Sequence, residues 1–408
     1  MKKNKPEIRF KGFEEEWEEM GANIIFRTYD DKNHPNLPVL SASQELGMVV
    51  RDNVGFKVQH NEDNEVGYKH VLPGQFVIHL RSFQGGFAHS SVEGITSPAY
   101  TVIEFHSAED QDDIYWKYVL TSKDFIKRLE TVTYGIRDGR SIRFKDFSEL
   151  GFQIPSVEEQ RKVGKTLLVI DKLIRKLELK LEKLRNIKQS LLSQMFTNVN
   201  GGGYAVPLIR FKNYNDNWKE EMLEDISQKI TDKNINHKYK TVFTNSAELG
   251  IIDQKDYFDR NIANVENTQD YYVVMPDDFV YNPRISTSAP VGPINRNKLP
   301  YEGVMSPLYY VFRFKDKEID LSYLDYFFKS SIWHGFMYMN GNSGTRSDRF
   351  SINDNVFSQL PIKHPLLKEE QEKIGALFSI LEQQILKTEK KSFKIRTMKQ
   401  SLLQKMFA

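Results

Sequence analysis

Cysteine is missing from all 408 residues. Its absence excludes disulfides, cysteine-based zinc fingers, iron–sulfur clusters and thiol nucleophiles together, and it fits a reducing cytoplasm. Net charge is nearly missing as well: 57 Lys and Arg against 55 Asp and Glu leave +2, so no bulk field dominates and charge has to be read locally. No window approaches the ~18 consecutive apolar residues of a membrane span, and the basic start MKKNKPEIRF has no apolar stretch behind it. Proline is sparse at 15, whereas 27 Phe, 19 Tyr and an apolar share of 39% supply a sizeable core. The chain therefore reads as folded, soluble, intracellular protein.

What is present is a chain written twice. PEIRFKGFEEEW (Pro6 to Trp17) returns 201 residues later as PLIRFKNYNDNW (Pro207 to Trp218). EEQRKVG at Glu158 and RNIKQSLLSQMF at Arg185 return 211 residues later as EEQEKIG at Glu369 and RTMKQSLLQKMF at Arg396. Across Glu158–Phe196 and Glu369–Phe407, 18 of 39 positions are identical without a gap, which excludes chance. Between these anchors the likeness weakens but keeps its order: LPGQFVI with MPDDFVY, TSPAYTV with MSPLYYV, GIRDGR with GTRSDR. Variable unit and constant segment thus alternate, with divisions expected at 1–152, 153–198, 199–360 and 361–408. GGG at 201–203 has the composition of a flexible joint.

The constant segments carry a four-three apolar spacing. Val163, Leu167, Ile170, Ile174, Leu177, Leu181, Leu184, Leu191 and Met195 form one seam, interrupted by Lys188. Ile374, Phe378, Leu381, Ile385, Ile395, Leu402 and Met406 form the other, with polar Thr388 and Ser392 inside it and Lys399 at the place of Lys188. This is the pattern of a coiled-coil seam. With no proline inside, each segment predicts about ten turns of helix, roughly 55 Å at 1.5 Å per residue. Each stripe needs a partner and the other copy is the obvious one. Connectivity favours antiparallel pairing, a rod with one variable unit at each end. The helices are basic, ten Lys/Arg against three Asp/Glu over 161–196 and eight against three over 371–407.

Catalytic signatures fail on inspection. GKT at Gly164 ends like a phosphate-binding loop, but Glu159 stands where that motif needs glycine, and the stretch lies inside a helical seam. YNP at Tyr281 to Pro283 resembles an adenine-methyltransferase tetrapeptide, yet Arg284 replaces its second proline; SPAY at Ser97 fails likewise. PDD at Pro276 lacks the acidic-x-Lys partner of a nuclease and reads as a turn. The nine His include no HxxxH pair, so no metal ligand set is expected.

The variable units read as mixed α+β domains of about 130 to 140 residues. HVLPGQFVIHL, PAYTVIEFH, TQDYYVVMPDDFVY and PLYYVFRF predict strands; IYWKYVLTSKDFIKRLE and LSYLDYFFKSSIWHGFMYM have helical spacing. Cationic and amide side chains collect in the loops: Arg81 and Gln84 in RSFQGG, then Arg137, Arg140, Arg143 and Lys145 in GIRDGRSIRFK. Their counterparts are Arg284 and Ser286 in NPRISTSAP and Arg346, Ser347 and Arg349 in NGNSGTRSDRFS. Arginine in such loops can fork onto guanine edges in a DNA groove, and Asn282 and Thr287 lie within the same reach.

Two unlike units alternating with two similar long helices resemble the DNA specificity subunit of type I restriction–modification systems. PEIRFKGFEEEW, the EEQRKVG and EEQEKIG helix starts, the SLLSQMF and SLLQKMF helix ends and the GIRDGR and GTRSDR loops carry the likeness, which spans essentially the whole chain. It implies a non-catalytic subunit whose two target-recognition domains bind the halves of a split site on double-stranded DNA, with the helices fixing the unread gap. It also implies two methyltransferase subunits, which bring S-adenosylmethionine, and motor–nuclease subunits, which bring ATP and Mg; no cofactor is expected on this chain. The rival readings are a degenerate fused methyltransferase or nuclease, and a coiled-coil scaffold that binds no DNA.

Overall fold

The computed structural model describes residues 6–43, 46–51, 62–79, 86–132, 142–196, 207–257, 268–342 and 348–407. They form two compact units, one from Met1–Leu179 with Glu389–Ala408, the other from Lys180–Thr388. The joint expected at 201–203 lies outside the described residues.

The first unit contains β1 (Glu18–Gly21), α1 (Ala22–Ile25), β2 (Phe26–Tyr29), β3 (Leu40–Ser43), β4 (Gly47–Val50), β5 (Lys69–Val71), β6 (Phe76–Ile78), β7 (Phe87–His89), β8 (Gly94–Thr96), β9 (Thr101–Phe105), α2 (Asp113–Val119), α3 (Lys123–Val132), α4 (Phe144–Ser148) and β10 (Gly151–Ile154), and then the long α5 (Val157–Met195) begins. A four-stranded antiparallel sheet, β2-β9-β6-β7, is flanked by the pairs β1-β10, β3-β4 and β5-β8. The β-branched and aromatic runs that predict strands supply these pairs. The helical stretch from Ile114 is two helices rather than one, α2 and α3, broken at Leu120–Ser122.

The second unit repeats that plan with β11 (Lys219–Met222), α6 (Leu223–Ile226), β12 (Ser227–Lys229), β13 (Phe243–Ser246), β14 (Gly250–Asp253), α7 (Gln254–Tyr257), β15 (Tyr272–Val274), β16 (Phe279–Tyr281), β17 (Ile294–Arg296), β18 (Gly303–Met305), β19 (Tyr310–Phe314), α8 (Leu321–Lys329), α9 (His334–Asn340), α10 (Asp354–Phe357), β20 (Pro361–His364) and the long α11 (Lys368–Met406). Its main sheet runs β12-β19-β16-β17 and its pairs are β11-β20, β13-β14 and β15-β18, the same topology strand for strand. The duplication in the sequence is a duplication of fold.

Each core is aromatic and closes over the long helices. In the first unit Phe26 packs edge-on against Trp116 at 5.0 Å, and Val163, Leu167 and Met406 join the same cluster. In the second, Phe279, Phe312 and Phe328 meet beneath the sheet, and Phe196 packs against Trp218, Tyr323, Phe327 and Phe378. Phe407 lies against Tyr115 in the first unit as Phe196 lies against Tyr323 in the second.

Within each unit the seams pack antiparallel. In the first, Ile170 and Leu177 cluster with Ile395 and Leu402, while Lys399 bonds Asp171 at 2.5 Å and Arg396 pairs with Glu178, so numbers rise along α5 as they fall along α11. In the second, Lys188 bonds Glu382 at 2.6 Å and Phe196 meets Phe378. The two lysines that interrupt the apolar spacing therefore make ion pairs to the facing helix. Thr388 and Ser392 are buried in the seam, as their positions require.

The repeated motifs at the chain starts and helix starts form one clamp, made twice. Arg9 holds Glu159 through two bonds of 2.8 and 2.7 Å, and Arg210 holds Glu370 through two of 2.7 and 2.8 Å. Gln160 accepts from the Asp112 amide and Gln371 from the Asp320 amide, and those aspartates cap α2 and α8 through the amides of Tyr115 and Tyr323. Gly164 and Gly375 lie where the long helices press against these capped ends: a Cβ on Gly164 would sit 2.7 Å from Asp112 Oδ1. That close approach, not a phosphate, accounts for the glycine in GKT.

Candidate nucleic-acid interface

In the second unit the loop between β16 and β17 folds back on itself. Gly292 (φ +86°) brings the chain so close to the Asn282 carbonyl that a Cβ would lie 2.1 Å from it, so only glycine fits. Thr287 and Ser288 form a tight tip, with Ser286 and Ala289 exchanging backbone hydrogen bonds of 3.0 and 3.1 Å. The Ser286 hydroxyl accepts from the Ala289 amide, and Ser286, Thr287 and Ser288 are exposed.

This loop pairs with the segment around residue 350. Phe350 N–H donates to Pro283 O at 2.7 Å and Ile285 N–H to Asp348 O at 3.0 Å, which sets Arg284 directly opposite Arg349 in an antiparallel bridge. Side chains directly opposite in such a bridge stand close together, and like charges there repel. Arg284 is exposed and Arg349 half-exposed, and no carboxylate forms an ion pair with either among the described residues. Two arginines placed opposite each other by that bridge, with no ion pair to either among the described residues, offer donors suited to an anion with paired acceptors, such as phosphate or a guanine edge.

The remaining expected site residues divide. Arg143 precedes α4 and Lys145 lies in its first turn, both exposed, with Phe147 anchoring the helix in the core. Arg81, Gln84, Arg137, Arg140, Arg346 and Ser347 lie outside the described residues. Under the repeat, Arg284 answers to Arg81 and Arg349 to Arg140. Asn282 does not read as a base contact: it is buried, its amide donates to Asn245 O at 2.8 Å and its oxygen accepts from Arg284 N.

The residues that resemble catalytic motifs are occupied elsewhere. Tyr281 is buried, stacked 4.7 Å from Phe357, and its hydroxyl donates to Val291 O. Asp278 is buried in the predicted turn, receiving Arg313 through two bonds of 2.6 and 2.9 Å and the Met275 amide at 2.7 Å. His89 bonds Asp113 at 2.6 Å and holds that carboxyl below its usual range.

One cluster escapes a reading of the sequence. Asp31 and His34, just after β2, meet His70 of β5. No spacing signals it, because His70 stands far along the chain and is brought in by the fold, its N–H donating to Asp31 O at 2.8 Å. Its hydrogen bonds hold the Asp31 carboxyl down at about 2, with the bond from His70 first and those from His34 and Tyr29 adding to it.

Residues 215–395 match the family described as the type I restriction modification DNA specificity domain. No curated protein matches the chain. Among solved structures the chain is similar to the S subunit of the type I restriction-modification system from M. genitalium, at 12% identity over 99% of each chain with a TM-score of 0.58. It is also similar to the HsdS subunit from Thermoanaerobacter tengcongensis, at 14% identity over 96% of each chain with a TM-score of 0.46. Among the described residues no helix is long and apolar enough to cross a membrane.

Proposed function

From a chain that carries a type I restriction modification DNA specificity domain over residues 215–395 and shares its fold with an S subunit along 99% of its length, we propose the following function. It is the non-catalytic DNA specificity subunit of a type I restriction–modification complex, working in the cytoplasm. Each of its two recognition units reads one half of a split site on double-stranded DNA. The observation that carries this reading is one topology built twice on unlike loops, with the paired arginines of one copy free to meet an anion. Arg284, Ser286, Arg346, Ser347 and Arg349 contact the second half-site, and Arg81, Gln84, Arg137, Arg140, Arg143 and Lys145 the first.

The long helices set the unread gap and dock the other subunits. In the first unit Val169, Leu173 and Leu179 of α5 and Phe393 and Met398 of α11 are exposed apolar side chains, Phe393 at 73%, which suits an interface with two methyltransferase subunits. Methylation, ATP hydrolysis and cleavage belong to those and the motor–nuclease subunits, which carry S-adenosylmethionine, ATP and Mg.

Exchanging residues 1–152 for another such domain tests the division of labour. The bases selected in one half of the bound site should change while the other half and the gap stay. A change in both halves, or in neither, contradicts it.

A further inference from the structure

The Asp31 cluster has the chemistry of a metal site. Asp31 Oδ2 lies 3.0 Å from His70 Nδ1, 2.9 Å from His34 Nε2 and 3.1 Å from the Tyr29 hydroxyl. The two imidazole rings overlap, centroids 4.1 Å apart. On its far side His70 Nε2 lies 2.9 Å from Glu93 Oε1. The ring is buried, while Asp31 and His34 are open to solvent on the other side, so an ion has a path in.

With its hydrogen on Nε2, donated to the Glu93 carboxylate, neutral His70 presents the lone pair of Nδ1 on the side of Asp31. That is the arrangement of a metal-ligating histidine backed by a carboxylate, which fixes its tautomer and raises its basicity. One divalent cation would take a lone pair from each of Asp31, His34 and His70, whose ligand atoms lie within 4.8 Å of one another, and the charges of Asp31 and Glu93 balance it.

We propose that Asp31, His34 and His70 bind one divalent transition-metal cation of the zinc class, with Glu93 as a positioning residue behind His70. Two imidazoles and a carboxylate suit that class, and a water fills the fourth position. Bonds of about 2.0–2.1 Å in a tetrahedral shell require ligand atoms about 3.3 Å apart, a few tenths of an ångström wider than these contacts. His34, partly exposed in a segment without regular structure, can move that far. The ion would tie the segment following β2 to β5.

The second unit supplies an internal control. Val273 N–H donates to Asp232 O at 2.8 Å as His70 N–H donates to Asp31 O at 2.8 Å, which aligns the two places. Ile235 then stands for His34, Val273 for His70, and Glu302 precedes Gly303 as Glu93 precedes Gly94. Both carboxylates are kept and both imidazoles are lost, so the second unit should bind nothing.

Titration of the full chain with Zn2+, and with Co2+ for its visible spectrum, tests the proposal. One equivalent per chain is expected, with the Co2+ absorption of a four-coordinate nitrogen–oxygen site. Glu93→Gln should weaken uptake about 10–100-fold. The pair His34→Ile and His70→Val copies the second unit's own residues and should abolish the high-affinity equivalent. If that pair unfolds, His34→Ile alone, at a partly exposed side chain, serves the same purpose. No uptake by the parent chain, two equivalents, or uptake unchanged in these variants overturns the proposal, because the ion would be absent or held by other histidines.

Discussion

Arg284 and Arg349 show what a single side chain contributes and how far its role was legible. Their placement in loops was readable from NPRISTSAP and GTRSDR, but their meeting was not, since a backbone bridge between distant loops leaves no mark on composition. Asn282 shows the opposite error: a short amide beside the arginine suggests a base contact, yet loop closure consumes it. Replacing Arg284 or Arg349 by Ala should cost about 1–3 kcal/mol of specific DNA binding and relax selection in one half-site only, measured by titration against cognate and altered duplexes. Arg9 and Arg210 carry a different weight. Glu159 and Glu370 are 1% exposed, so Arg9→Ala leaves a carboxylate buried without its partner and should destabilise its unit by about 3–5 kcal/mol in denaturant unfolding. Glu382 gives a pH handle. Burial alone would push its carboxyl up, but Lys329 and Lys188 hold it down at about 2. A depressed pKa stabilises fully above the ordinary glutamate value near 4.5, and that contribution is lost as the pH falls toward 2. The parent chain should therefore lose more stability between those pH values than Glu382→Gln does.

The long helices were the most legible elements, because four-three spacing is a local property that needs no knowledge of tertiary structure. Lys188 and Lys399, which looked like defects in that spacing, could be explained only once Glu382 and Asp171 were found opposite. Gly164 was equally opaque. Ala ordinarily favours a helix over Gly by about 1 kcal/mol. Here a Cβ would meet Asp112 Oδ1 at 2.7 Å and Tyr115 N at 2.8 Å, so Gly164→Ala should instead destabilise by about 1–3 kcal/mol, as read by thermal unfolding. Gly375→Ala, facing Ser322 Cβ at 2.8 Å, should behave alike. Inserting one heptad into each of α5 and α11 preserves the seams and should lengthen the unread gap without changing the bases read.

For the whole molecule, duplication is the organising fact, and it was visible because the clamp residues and 18 of 39 positions of the long helices are the same in both copies. The strands between them diverged too far to align closely, but they could still be assigned through their β-branched and aromatic runs. A net charge of +2 conceals basic helices and arginine loops. Binding to duplex DNA should therefore weaken steeply with salt, the logarithmic slope falling by about 0.9 for each phosphate contacted. The most direct measurement is selection of bound duplexes from a random pool by the unmodified chain. Two short enriched clusters of unrelated sequence, separated by a constant run of unselected base pairs, are the expected result. A single continuous cluster, or no enrichment, would contradict a chain built as two DNA readers.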